Sequence, residues 1–135
     1  MRLLMSVTSV VFLAVAVNGC SDSISPESIV GIWVEDGSPP GNSLEIMLAL
    51  NASAISGRGS WCGEALGCGS TTVTGTATGN RFHLVTTFDN GRIETFDGRL
   101  VSSSSLAGTE TETTTDGTHL SGDQSFTRVI RDPAS

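Results

Sequence analysis

Apolar and polar residues alternate along most of this chain, in short runs separated by turn-forming residues. The clearest run places Leu44, Ile46, Leu48 and Leu50 between Glu45, Met47, Ala49 and Asn51. A period of two gives a strand one buried face. A helix would scatter those four aliphatics around its circumference, even though Leu, Glu, Met and Ala favour helices. Upstream, Val30-Gly31-Ile32-Trp33-Val34 is a β-branched and aromatic run, and Asp36-Gly37-Ser38-Pro39-Pro40-Gly41 stops it. Residues 55–61 alternate again, with Gly57 and Gly59 on the apolar face, which suits a strongly bent strand. Further runs cover 71–77, 81–88, 93–101, 106–113 and 126–131, with turn formers at 78–80, 89–91, 102–105 and 116–117. Asn90-Gly91 between two such runs predicts a hairpin with a type I′ turn, which needs positive φ at both central residues. The pattern predicts eight short strands in sequence order and no helix after Cys20.

Consecutive antiparallel strands leave two raw edges unless the sheet closes on itself. The predicted fold is therefore all-β, a small antiparallel up-and-down (meander) β-barrel of about eight strands, occupying residues 29–132 as one domain. Eight strands enclose an interior that side chains fill or that holds one small ligand. Gly57, Gly59, Gly75, Gly98 and Gly108 fall at inward positions. Two outcomes stay open: the small residues leave a pocket, or strong coiling of the strands closes it.

The strand that opens the domain carries Gly31-Ile32-Trp33, and the last strand carries Arg128 and Arg131. In this the chain resembles the calycin group, which includes lipocalins, fatty-acid-binding proteins and avidins. Gly31-Ile32-Trp33 matches the Gly-x-Trp of their first strand, and lipocalins place an arginine of the last strand against that tryptophan. The resemblance implies a closed barrel in which Trp33 meets an arginine. Arg128 is the expected partner, because it shares the face of Phe126.

The amino terminus is a different kind of sequence. Arg2 is the only charge before an apolar stretch over residues 3–17, broken by Ser6, Thr8 and Ser9. That stretch is short of the roughly 20 residues a membrane-spanning helix needs, and it reads as a signal peptide over residues 1–19. Val17-Asn18-Gly19-Cys20 resembles the lipobox of bacterial lipoproteins. The resemblance implies export, cleavage before Cys20, and acylation of Cys20 as an anchor in a lipid bilayer, with Ser21 directing the protein to the outer membrane of the cell envelope. Residues 20–28, with Ser at 21, 23, 25 and 28, single Asp, Ile and Pro residues and no periodicity, read as a flexible tether. An ordinary signal peptide cut near Gly19 is the alternative.

Acidic residues outnumber basic ones 14 to 7, for a formal net charge of −7. Nucleic acid is thereby an unexpected partner, since its recognition needs clustered positive charge. Cys62 and Cys68 flank a glycine-rich connection in a chain read as exported to an oxidising compartment, so a disulfide closing that loop is expected. Two thiols with no nearby His lack the ligand count of a zinc site. His83 and His119 stand alone in sequence and read as solvated surface residues. Glu110 and Glu112 share one strand face, which suits a carboxylate pair for catalysis or calcium. It suits better a charged outer face that deters edge pairing. No phosphate loop or dinucleotide fingerprint is present.

No catalytic residue, metal ligand or cofactor is expected on this reading, and an enzyme is the least supported class. An envelope lipoprotein whose barrel binds a small apolar or amphipathic ligand leads, on fold analogy. A structural or interaction module of the envelope with a filled barrel is the alternative.

Overall fold

The computed structural model describes residues 24–131. The signal-peptide and lipobox readings, Cys20 included, lie outside the described residues. Eight strands follow one another: β1 (Gly31–Glu35), β2 (Ser43–Asn51), β3 (Ala54–Gly63), β4 (Gly67–Thr78), β5 (Arg81–Phe88), β6 (Ile93–Ser102), β7 (Ser105–Thr113) and β8 (His119–Val129). Each pairs antiparallel with its sequence neighbours. β1 also pairs with β8, Trp33 opposite Arg128 and Glu35 opposite Phe126, so the meander is a closed barrel with no edge.

The alternation read from the sequence sets which side chains enter. Trp33, Ile46, Leu48, Ile55, Val73, Leu84, Phe96, Leu100, Leu106 and Phe126 point inward and are all at least 97% buried. Burying one such side chain stabilises the fold by about 1.5–3 kcal/mol, so a one-residue slip in register would forfeit much of the core. The inward glycines resolve the question of the interior. A Cβ on Gly98 would fall 2.6 Å from Ala107 O and against the edge of the Phe96 ring, and one on Gly59 would fall 2.9 Å from Thr71 Oγ1 and against Glu45 O. Strongly coiled strands bring neighbouring chains too close for a side chain there, and the middle of the barrel is packed rather than hollow.

The two ends differ. A 3-10 helix (Pro26–Ile29), capped by Ser25, whose hydroxyl accepts from Glu27 N–H at 3.2 Å, plugs one end. Ile29 is fully buried and Ile24 packs against the core. Residues 24–28, expected as part of the tether, are thus folded onto the barrel, because Ile24 and Ile29 supply apolar cover for that end. The Trp33 indole donates to Ile29 O at 2.8 Å. Arg128 lies over the Trp33 ring, 4.5 Å from its centroid. Its guanidinium donates to Val30 O at 2.6 Å, to Ser103 O at 2.8 Å and to Ser28 O. Arg131 instead pairs with Glu45, at 3.1 Å on the surface.

Two other expectations need correction. The 89–92 connection is a hairpin, but only Gly91 has positive φ, so the turn is not type I′. Asn90 spends its side chain on Arg92 N–H (3.0 Å), while Phe88 N–H reaches Arg92 O and Gly91 N–H reaches Phe88 O. β8 begins at His119, seven residues before the expected start at Phe126. Its first half is exposed and, apart from Leu120, polar, and the ladder to β7 holds it extended without apolar alternation.

Candidate functional site at the barrel mouth

The open end is formed by the connections 36–42, 64–66, 89–92 and 114–118. Beneath them lies a cavity of about 300 Å³ with two unlike walls. One wall carries Leu44 from β2, Trp61 from β3, and Pro39 and Leu66 from the connections. The facing wall carries Glu35 from β1, Arg92 and Glu94 beside and on β6, and Glu110 and Glu112 from β7.

Strand period places the carboxylates there. Glu94 is in phase with Phe96 and Leu100, Glu35 with Trp33, and Glu110 with Leu106, so each points inward at the strand end nearest the mouth. Glu110 and Glu112 therefore belong to the interior face and not to a charged outer face as expected. The cause is register: Glu110 stands opposite buried Phe96, and Glu112 opposite Glu94.

Glu94 is 6% exposed. One of its oxygens lies 3.3 Å from Arg92 Nη2, and Arg92 Nη1 lies 3.8 Å from Glu112. The other oxygen, Glu94 Oε2, is buried and has no hydrogen-bond partner among the described residues; nor has Arg92 Nε. Burial pushes the Glu94 carboxyl up to about 8, with the Glu110 charge adding to the shift and Arg92 opposing it. Burial likewise raises Glu110 to about 7, helped by the charges of Glu35 and Glu112. Glu35 accepts from Ser38 Oγ at 2.8 Å. One oxygen each from Glu35, Glu94 and Glu110 lies within 4.8 Å of the others.

The aromatic wall is held from outside. Asp89 accepts from the Trp61 indole at 2.9 Å and from Ser70 N–H at 3.0 Å. Those two donors, the Ser70 amide above all, hold its carboxyl below the usual carboxylate range. Gly69 makes room for this, since a Cβ there would sit 2.6 Å from Trp61 Nε1 and against Asp89. Phe88 packs edge-on to Trp61, centroids 6.0 Å apart, and Arg92 stacks 4.0 Å above Phe88. Cys62 and Cys68, directly opposed across β3 and β4, are joined in a disulfide at the rim.

Of the residues singled out in the sequence, Cys62, Cys68, Glu110 and Glu112 come together at the mouth. Trp33 and Arg128 lie at the plugged end. His83 and His119 are exposed, His83 Nδ1 2.6 Å from Asp97 and His119 Nδ1 3.0 Å from Thr113 Oγ1. Glu35, Arg92 and Glu94 were not singled out; a carboxylate in the apolar phase of an alternating strand is the readable sign of the two glutamates, and Arg92, in the connection before β6, carries no such sign. No protein-family model, no curated protein and no solved structure matches the chain.

Proposed function

We propose that this is an exported lipoprotein of the bacterial cell envelope, held in a bilayer through acylated Cys20, and that it binds a small amphipathic ligand in the mouth of a calycin-like barrel. The observation that carries the binding reading is the two-walled cavity. Leu66 offers exposed apolar surface with the edges of Trp61 and Leu44 behind it, and the facing carboxylates offer acceptors for a donor-bearing or positively charged end. A wholly apolar ligand deep in the barrel is a poorer fit, because the middle is packed. Gly31-Ile32-Trp33 with Arg128 over the indole supports the calycin likeness, and the lipobox-like Val17-Asn18-Gly19-Cys20 with Ser21 supports outer-membrane anchoring. Four residues carry the chain from Cys20 to Ile24, a span of at most about 14 Å. Such an anchor would hold the plugged end toward the bilayer and leave the mouth facing the aqueous compartment.

The packed middle favours a second reading, an interaction module of the envelope with no ligand. Native mass spectrometry of the protein purified from its host separates the two. Binding predicts a retained small molecule that is lost in Leu66→Asp, a change at the exposed rim that leaves the core untouched. Wild-type protein without retained mass would favour the module.

A further inference from the structure

We infer that Glu35, Glu94 and Glu110 form a calcium site at the floor of the mouth. The three carboxylates come from β1, β6 and β7, strands that the closed barrel holds in fixed register, so their approach is built into the fold. Their oxygens lie within 4.8 Å of one another. Calcium binds oxygen at about 2.3–2.6 Å, so oxygens sharing one ion stand no more than about 5 Å apart, and it accepts irregular shells, whereas magnesium demands near-ideal octahedral geometry. Carboxylates fixed on three strands can meet calcium's irregular shell without movement of the strands.

The cluster is more than a patch of acid. Glu94 is 94% withdrawn from solvent, since only 6% of it is exposed, and its Oε2 has no partner among the described residues. A buried carboxylate oxygen left unpaired is costly, and a hard cation in the cavity is a partner of the right chemistry. Arg92 lies 3.3 Å from one Glu94 oxygen and reaches Glu112, so it compensates part of the charge while Oε2 stays unpaired. Three carboxylate ligands are fewer than the six to eight oxygens that calcium takes. Waters from the open mouth would complete the shell, and a site with so few protein ligands is a weak one, at about 10⁻⁴–10⁻³ M.

The inference goes beyond the ligand reading and stands without it, because it needs only the three carboxylates. Terbium luminescence tests it on the mature protein, since Trp61 lines the same cavity and can sensitise an ion bound there. Terbium should give Trp-sensitised emission, which millimolar calcium displaces and magnesium displaces at least tenfold less well. Glu94→Gln and Glu110→Gln should each lower the emission at least tenfold while circular dichroism keeps the β signature. Glu45→Gln, on the outer surface beside Arg131, should leave it unchanged. Absence of sensitised emission from the wild-type protein, or equal emission from folded Glu94→Gln, would overturn the site. Should terbium fail while a small molecule is still retained from the host, the cation site falls and the ligand pocket remains.

Discussion

Glu94 and Glu112 face each other directly across β6 and β7, and Arg92 lies within 4 Å of both. Where Glu94 is ionised, like charges opposed on a ladder repel, and the guanidinium offsets that repulsion. It is held in place by stacking 4.0 Å above Phe88. Arg92→Ala should therefore lower stability by about 1–3 kcal/mol at pH 9, above the folded value of Glu94, where the buried carboxylate loses its counter-charge. The loss should be smaller at pH 5, where Glu94 is protonated. Urea titrations at the two pH values measure the difference; equal losses would show that Arg92 acts through packing alone.

At the opposite end Arg128 satisfies three carbonyls from two separate segments and covers the Trp33 ring. Arg128→Ala should lower stability by about 2–3 kcal/mol, the scale of charge-assisted hydrogen bonds with a cation–π contact, and keep the strand signature. Arg128→Lys should recover less than half, because a point charge cannot reach all three acceptors. Truncation before Phe126 removes the pairing of β8 with β1 and should abolish the cooperative melt altogether.

Gly69→Ala tests the aromatic wall. Its methyl group would enter the space shared by the Trp61 indole and Asp89, so Trp61 must turn and the hydrogen bond must break. Overpacking of this kind costs about 1–3 kcal/mol. A red shift of Trp61 fluorescence, read in a Trp33→Phe background, is the expected sign; an unchanged spectrum would mean that the wall tolerates the shift.

Anchoring is tested separately. Cys20→Ser should move the protein from the membrane fraction to the soluble one, since the acyl chains would supply the membrane affinity. Unchanged fractionation would remove the lipoprotein reading and leave the barrel untouched.

The barrel was legible because Leu44 to Leu50 and Phe82 to Phe88 alternate cleanly, and a period of two with short turns admits few architectures. The first half of β8 was not, since Leu120-Ser121-Gly122-Asp123-Gln124 has no apolar phase and is extended only through its ladder to β7. The mouth was half legible. Glu94 lies two residues before Phe96 and six before Leu100, in the buried phase, which marks it from sequence alone. Glu110 and Glu112 alternate with Thr109, Thr111 and Thr113, so both faces of β7 are polar and only Leu106 reveals which one turns inward. That the three carboxylates meet follows from barrel closure, which brings β1 close to β7 through β8, and no local pattern encodes it.

The central claim is that the acidic floor is kept at a cost to stability, as a site for binding would be. The folded-state value of Glu94, about 8, lies above that of an unfolded glutamate, about 4.3. The folded chain thus binds more protons than the unfolded one between those values, and stability falls as pH rises through that window. Glu94→Gln keeps the shape and removes the titration. The most direct measurement is the thermal midpoint of the wild type and of Glu94→Gln, with chelator, at pH 5 and pH 8. At pH 8 the variant should melt higher by more than about 4 °C, the shift that about 1 kcal/mol produces in a domain of this size, and the gap should shrink at pH 5. A variant that melts lower than the wild type at pH 8 would show that Glu94 is a structural partner of Arg92, and would contradict the account.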